Sequence, residues 1–305
     1  MKILITGASG LLGSNLCFIA AQKGLEVVGL YNAHEVKIKG VKTVKADLSQ
    51  ANFFSSLNFK PDVIIHCAAL TNVDLCEEDK TLAEKMNITA TENVLDFAKS
   101  SNAKFIFIST DSIFDGKTPF HKESEKPHPI NYYAQTKVDA EAIVKKYLNH
   151  VIVRTNMYGF NIQNSKTKLS FSEWLTNKFE NKEKITAFTD FHFSPLVVNN
   201  LCEALLELAQ NDFTGTINVA GEGRISKYEF ALMFAKEFGF DESLVIPTKM
   251  SELENLRAER PKENSLDISL AKKTLKTVLL DIPDGIKLYK KLMEEKYPER
   301  LRENK

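Results

Sequence analysis

Two adjacent tyrosines and a lysine in the stretch PINYYAQTK, residues 129–137, are the leading candidates for chemistry in this chain. Residues four apart share one face of a helix, so Tyr133 and Lys137 can point into the same pocket, whereas Tyr132 is rotated away by about a hundred degrees. A phenol has a pKa of about 10, and a neighbouring ammonium favours its ionised form. The spacing therefore favours Tyr133 as the proton donor, with Lys137 as its electrostatic partner.

Two hydroxyl residues, Ser109 and Thr110, end the apolar run KFIFIST. Ligands of an open α/β sheet collect at the carboxyl ends of its strands, which is where this run places them. Either hydroxyl can donate a hydrogen bond to a substrate carbonyl oxygen that Tyr133 protonates. The residues themselves leave the choice between Ser109 and Thr110 open.

Three glycines follow directly on the first strand-like run, in KILITGASGLLGSN. At such a strand-to-helix junction Gly7 permits a tight turn, Gly10 lets the backbone approach a pyrophosphate, and Gly13 lets helix and strand pack closely. The position of the glycines between a first strand and a first helix predicts a dinucleotide site. In such a site Lys137 can also bond the nicotinamide ribose and so position the hydride donor.

The end of the second strand decides between the two nicotinamide cofactors, because an acidic residue there usually reads the ribose 2′-hydroxyl. Here the strand ends in LYNAHEV, with Asn32 and His34 in the decisive region. NADP(H) is slightly favoured over NAD(H), because no carboxylate is placed to repel a 2′-phosphate. The preference is only slight, because no arginine is placed to hold that phosphate. Asp47, after the third strand, is placed to accept a bond from adenine or, equally, to cap a turn.

The elements that must position these residues are short β-rich runs alternating with helical patterns. Strands are expected at KILIT, EVVGLY, VKTVKA, DVIIHC, KFIFIST and VIVRT, with helices at 11–23, 81–100 and 132–148. Runs that are apolar on both faces and separated by amphipathic helices indicate a parallel sheet covered on both sides. The predicted fold class is therefore α/β, a doubly wound Rossmann sheet with a smaller C-terminal substrate-binding lobe.

The domain boundaries are predicted from the sequence after residue 158, where the regular alternation of strand and helix patterns is lost. We expect residues 1–158 plus about 189–220 to form the dinucleotide-binding domain, and about 159–188 plus 221–305 the substrate lobe. In the lobe, SKYEFALMFAKEFG predicts a helix capped by Ser226 and ended by Gly239. The Lys/Glu-rich tail from about 287 to 305 is interpreted as a solvated final helix.

The composition narrows the partners to small molecules and proteins. Forty Lys plus Arg balance forty Asp plus Glu, so charge gives no reason to expect nucleic acid or a membrane surface. The apolar runs are strand-sized and the N-terminus lacks a signal-peptide pattern, so we expect a cytoplasmic protein. Four scattered cysteines and no set of Asp, Glu or His with ligand spacing predict no metal site.

Together with the glycine turn, four stretches give the chain a specific resemblance: HCAALTNVDLCEED, STDSIFDG, YYAQTK and RAERPKENSLDIS. With them the chain resembles the extended short-chain dehydrogenase/reductase family over nearly its whole length, and within it the dTDP-4-dehydrorhamnose reductase branch. Two positions depart from the branch pattern, Ser112 and the pair Asn156 and Met157, both near the expected sugar pocket. The resemblance therefore implies a nucleotide-linked sugar more firmly than rhamnose itself.

The resemblance implies a reductase of a nucleotide-linked 4-keto-6-deoxy sugar, with Thr110 as carbonyl hydrogen-bond donor, Tyr133 as general acid and Lys137 beside it. Substrate contacts are expected from Asp111, Asn156, His192, Arg257 and Arg260. For the two arginines, contact with a diphosphate and an exposed ion pair stay open. The expected cofactor contacts are Gly7, Ser9, Gly10, Leu11, Leu12, Gly13, Asn32, His34, Asp47, Leu48, Cys67, Ala68, Ala69, Thr71, Asn87, Tyr133 and Lys137.

Two rival functions stay open beside this one. A nucleotide-sugar epimerase or dehydratase would use the same fold with its cofactor retained, although Ser112 stands where dehydratases often have Glu. A non-catalytic function is implied by the branch's similarity to the regulatory β subunit of methionine adenosyltransferase. The oligomeric state is also open, with a homodimer as one alternative.

Overall fold

The protein is built on one large parallel sheet and three small ones. Its structure, a computed structural model, describes residues 1–163, 169–252 and 257–303. In chain order the strands are β1 (Lys2–Thr6), β2 (Glu26–Tyr31), β3 (Lys42–Lys45), β4 (Val63–His66), β5 (Lys104–Thr110), β6 (His150–Thr155), β7 (Met157–Tyr158), β8 (Ile185–Phe188), β9 (His192–Phe193), β10 (Leu196–Val197), β11 (Gly215–Asn218), β12 (Ile225–Ser226), β13 (Val245–Thr248) and β14 (Glu263–Asn264).

The helices cover both faces of the large sheet. They are α1 (Leu11–Gln22), α2 (Phe53–Ser56), α3 (Val73–Glu78), α4 (Lys80–Glu84), α5 (Ala90–Ser101), α6 (Tyr132–Val144), α7 (Phe171–Glu180), α8 (Val198–Gln210), α9 (Lys227–Phe238), α10 (Ser269–Thr274), α11 (Ile282–Glu294) and α12 (Tyr297–Arg302). Among the described residues, no helix combines the length and the apolar composition needed to cross a bilayer.

The large sheet has seven strands in the order β11-β6-β5-β4-β1-β2-β3, all parallel. Successive side chains of a strand point to opposite faces, and both faces here are apolar. On β5, Ile106 packs into the core with α1 and α8, whereas Phe105 and Phe107 pack on the other face with α5 and α6. The predicted doubly wound α/β sheet is confirmed.

The remaining strands form the small sheets β10-β7, β12-β9-β14 and β13-β8. They come from the chain between β6 and β11 and from the C-terminal third. The predicted helix after Ser226 is confirmed: the Ser226 hydroxyl accepts a bond from the Glu229 amide, and Gly239 ends the helix at φ 72°. The division into two domains at the boundaries given above stays a prediction.

The expected single helix over 81–100 is wrong in detail. The chain forms α4, then a π-helical turn over Lys85–Thr89, then α5. Asn87 lies in that turn and bonds the backbone of Leu70 with both ends of its amide, at 2.7 and 3.1 Å. A π turn of this kind often marks a functional site, and here it aims Asn87 at the loop after β4.

The interpretation of the tail as a solvated helix is also wrong. Two helices, α11 and α12, pack on the body of the protein and bury Ile286, Tyr289, Tyr297 and Leu301. The Tyr297 hydroxyl donates to Asn15 Oδ1 on α1 at 2.7 Å. The apolar residues of the tail, such as Tyr289, Leu292 and Met293, recur at helical spacing among many Lys and Glu residues and so form a narrow packing stripe.

Candidate active site

The glycine turn joins β1 to α1 in a conformation that three glycines make accessible. Gly7 has φ 70°, and a Cβ there would lie 2.9 Å from the Ala68 amide nitrogen. A Cβ on Gly13 would lie 2.2 Å from the Gly7 carbonyl oxygen, which fixes the close approach of helix and strand. Gly10 is different: its φ is −89°, and its Cβ would meet only the Gly7 carbonyl oxygen, at 3.3 Å.

A cleft of about 200 Å³ opens beside this turn. Eight of the expected cofactor contacts line it: Gly7, Ser9, Gly10, Asn32, Leu48, Cys67, Ala68 and Ala69. The N-terminus of α1 faces the cleft at Gly10, so its free backbone amides are available to an anion. The turn, the cleft and the helix end thus fit a dinucleotide with its phosphates at Gly10.

The sequence did not single out six further residues that line this cleft: Leu30, Tyr31, Ala33, Ala46, Met86 and Ala90. Four of them lie at or just beyond the carboxyl ends of β2 and β3, and this position is the signal that would have found them. Met86 and Ala90 come from the π turn and the start of α5, which the expected regular helix concealed.

Two residues, His34 and Asp47, are predicted to contact the adenosine half of the cofactor, and the structure shows what surrounds each of them. His34 lies on the exposed segment after β2, two residues beyond Asn32. The Asp47 carboxylate accepts bonds from the amide and hydroxyl of Ser49, at 3.0 and 2.7 Å, and the hydroxyl bond is the main cause that lowers the pKa of Asp47. The turn-capping alternative therefore describes this structure, and adenine contact stays a prediction.

Asn87 acts on the loop that follows β4, where Ala68, Ala69 and Thr71 lie. Besides Leu70, its amide donates to the Thr136 hydroxyl on α6 at 3.0 Å. Asn87 is buried, so these bonds are not exchanged with water. The loop beside the cleft is thereby tied to the helix that carries Tyr133 and Lys137.

Tyr133 is buried at the start of α6, and its phenol lies near the Thr110 hydroxyl at the end of β5. Burial is the main cause that raises the pKa of Tyr133, Asp111 adds to it, and the nearby Thr110 hydroxyl opposes it. The phenol is therefore held protonated, as a proton donor requires. Tyr132 points elsewhere: its hydroxyl donates to Glu84, and Lys80 lies over its ring.

Lys137 is buried one helical turn after Tyr133, as the spacing predicts, but its ammonium has other partners. It donates to the Ile108 carbonyl at 2.8 Å and lies 4.0 Å from the centre of the Phe107 ring. Burial lowers the pKa of Lys137 to about 7, while the charge of Glu141 opposes this shift. The expected pairing of this ammonium with the phenol is not the arrangement in this structure.

The structure separates the two candidate hydroxyls on β5. Ser109 donates to Glu141 at 2.7 Å, and Glu141 also forms an ion pair with Arg154 at 2.8 Å. Burial disfavours the Glu141 carboxylate, but its bonds from Arg154 and Ser109 outweigh this and lower its pKa. Ser109 is thus engaged in a buried polar network, and Thr110 is the hydroxyl next to Tyr133.

Asp111 and Asn156 form one cluster beside Thr110. The Asp111 carboxylate accepts bonds from Thr110 and Ser112, both at 3.1 Å, and from the Asn156 amide at 2.7 Å. Burial raises the pKa of Asp111 and these three bonds oppose the rise. Two expected substrate residues, Asp111 and Asn156, therefore contact each other next to the Tyr133–Thr110 pair.

The other three expected substrate residues lie farther along the chain. His192 is half-buried on β9 and pairs with Ser226 of β12. Arg257 forms an ion pair with Glu78, and Arg260 forms one with Asp74 at 2.9 Å, so both bridge to α3. The ion-pair alternative describes this structure, and contact with a diphosphate stays a prediction. Within the described part of the chain, no cluster of His, Cys, Asp or Glu is placed to hold a metal.

Several known proteins are similar to this chain over most of its length. The family model described as RmlD substrate binding domain matches residues 1–293. A probable low-salt glycan biosynthesis reductase of Haloferax volcanii is 28% identical over 88% of this chain and 90% of its own length. Methionine adenosyltransferase 2 subunit beta of Rattus norvegicus is 30% identical over 88% of this chain and 80% of its own.

Two solved structures share the fold at similar identity. A hypothetical dTDP-4-dehydrorhamnose reductase from Sulfolobus tokodaii has a TM-score of 0.80 and is 34% identical, covering 93% of this chain and 99% of its own. The dTDP-4-dehydrorhamnose reductase of Bacillus anthracis, solved in complex with NADP, has a TM-score of 0.79 and is 26% identical, covering 94% and 98%.

Proposed function

The chain belongs to the RmlD substrate binding domain family of extended short-chain dehydrogenase/reductases, and we propose that this NAD(P)-dependent oxidoreductase reduces a nucleotide-linked 4-keto-6-deoxy sugar. The observation that carries the proposal is the buried Tyr133–Thr110 pair with Lys137 one turn away, at the carboxyl ends of the strands. A nicotinamide dinucleotide, which the glycine turn and the cleft fit, supplies the hydride when it is bound.

The roles of the side chains follow from their donors and acceptors. The Thr110 hydroxyl, which donates to Asp111 in this structure, turns to donate to the sugar carbonyl oxygen when substrate is bound and so orients it. The Tyr133 phenol transfers its proton to that oxygen as negative charge develops there. Lys137, buried one helical turn from Tyr133, supplies positive charge near the developing alkoxide when it is protonated. Burial of all three side chains excludes water and strengthens each of these interactions.

The decisive experiment follows the absorbance of NADPH and NADH with a panel of nucleotide 4-keto-6-deoxy sugars made in place by a dehydratase. We expect stoichiometric oxidation of the nicotinamide with at least one member of the panel. Conversion of a sugar without net oxidation would instead identify an epimerase or dehydratase. Ser112 speaks against dehydration, because it donates to Asp111 and supplies no carboxylate.

A regulatory function is the second candidate, and the likeness to methionine adenosyltransferase 2 subunit beta favours it. It predicts that the chain binds the cofactor but oxidises it with no sugar of the panel. The same assay distinguishes the regulatory function from the reductase when a Tyr133→Phe variant serves as the negative control. Turnover that the variant lacks belongs to the chain and excludes a purely regulatory function.

The preference between the two cofactors is predicted to be modest. Asn32 and Ala33 line the cleft after β2, and neither carries a charge that could attract or repel a 2′-phosphate. One well-placed charge changes affinity by roughly a hundredfold, so we expect a smaller ratio of the dissociation constants for NADPH and NADH. Asn32→Asp should shift the ratio toward NADH, and Asn32→Ala, the control, should not. A larger ratio in the unaltered protein, measured by calorimetry, would contradict this reading.

A further inference from the structure

Lys227, the first residue of α9, has its ammonium enclosed by aromatic rings. The nitrogen lies 3.8 Å from the centre of the Phe193 ring, 3.9 Å from that of Phe171 and 5.5 Å from that of Phe191. Ring faces attract a cation, and the attraction grows as the cation loses water. The residue as a whole is half-buried, and its ammonium lies between the Phe171 and Phe193 rings.

This position is unfavourable for a cation in every other respect. The N-terminus of a helix carries partial positive charge, which repels an ammonium at its first residue. Burial lowers the pKa of Lys227 to about 7, although the Asp111 carboxylate opposes this shift. An apolar side chain of similar length would pack between the same rings without these costs. Stability alone therefore does not explain a lysine here.

Asp111 connects Lys227 to the proposed active site. The charge of its carboxylate favours the protonated Lys227 ammonium, and it accepts bonds from Thr110 and Asn156. The Thr110 hydroxyl in turn lies near the Tyr133 phenol. Asp111 is almost fully buried, whereas Lys227 is half-buried. The charge of Asp111 thus acts on both the Lys227 ammonium and the Tyr133 phenol.

Resting on the proposed function, we propose that Lys227 is a specificity-determining residue that donates a hydrogen bond to a hydroxyl of the substrate's sugar ring. Thr110 and Tyr133 address the carbonyl, and Lys227 addresses a hydroxyl on another part of the ring. Asp111 supplies the counter-charge that keeps the ammonium protonated. The rings of Phe171 and Phe193 hold the ammonium in place and form an apolar wall for the sugar.

The test separates the affinity for the sugar from that for the nucleotide. Calorimetry measures the binding of dTDP-glucose and UDP-glucose, with free dTDP and UDP as references, to the protein loaded with NADPH. Lys227→Met should weaken the binding of whichever nucleotide sugar binds more tightly by about ten- to a hundredfold, because it removes one charged hydrogen bond. The affinity for the free nucleotide should stay unchanged. Lys227→Arg should restore part of the loss. The melting temperature of Lys227→Met should be unchanged or higher.

The matched control is Lys290→Met. Lys290 also lies over a phenylalanine, 5.8 Å from the centre of the Phe238 ring, but it bonds the Glu237 carbonyl far from the Asp111 cluster. Lys290→Met should alter neither the affinity for the nucleotide sugar nor the affinity for the free nucleotide. Equal losses for sugar and free nucleotide in Lys227→Met, or a lower melting temperature with sugar affinity intact, would overturn the inference. The two proposals can also fail separately. If the unaltered protein reduces no keto sugar but Lys227→Met still weakens the binding of the nucleotide sugar, the inference stands and the proposed reaction fails.

Discussion

Replacing Tyr133 with phenylalanine should reduce the rate of keto-sugar reduction by about a hundred- to ten-thousandfold, because it removes the positioned proton donor. The phenol is buried near Thr110, and the ring itself stays in Tyr133→Phe, so the fold and the cofactor affinity should be retained. The measurement is the single-turnover rate at saturating NADPH, together with the dissociation constant of NADPH.

Tyr132→Phe is the matched control. The Tyr132 hydroxyl donates to Glu84 at the protein surface, so its removal should leave the rate of keto-sugar reduction nearly unchanged. Lys137→Met should lower both rate and cofactor affinity, since this ammonium is assigned to the site and to the nicotinamide ribose. The reverse ranking of the two phenylalanine variants would show that the wrong tyrosine has been chosen.

Replacing Gly10 with valine should abolish cofactor binding while the protein stays folded. Gly10 has an extended backbone that any residue adopts, and its Cβ would meet only the Gly7 carbonyl oxygen, at 3.3 Å. The added methyl groups would instead fill the space beside the N-terminus of α1, where the pyrophosphate is expected. Calorimetric titration with NADPH should therefore give no heat of binding, with an unaltered circular dichroism spectrum.

Gly13→Ala is the contrasting variant. Its Cβ would lie 2.2 Å from the Gly7 carbonyl oxygen, so α1 would have to move from β1 and the melting temperature should fall. Gly10→Ala, with one methyl group, should weaken the cofactor less than Gly10→Val does. Undiminished NADPH binding by a folded Gly10→Val protein would mean that the phosphates do not lie at this turn.

The sequence alone determined the features that depend on local spacing. The apolar runs set the strands, because a strand buried on both faces cannot carry regular polar positions. The three glycines located the turn after β1, and the caps Ser226 and Gly239 gave both ends of α9. The separation of Tyr133 from Lys137 put them one helical turn apart. Each feature spans only a few residues, so backbone geometry alone fixes it.

Only the tertiary structure decided which partners these side chains have. Ser109 and Thr110 are neighbours with the same chemistry, and it is Glu141 on α6 that engages one of them. Lys137 bonds the Ile108 carbonyl, and the tail packs through Tyr297 on Asn15. The Lys227 ammonium lies over the Phe171 ring and is affected by the charge of Asp111, and these three residues come from separate parts of the chain. These contacts join residues far apart in sequence, and the packing of the elements, which no local pattern encodes, brings them together.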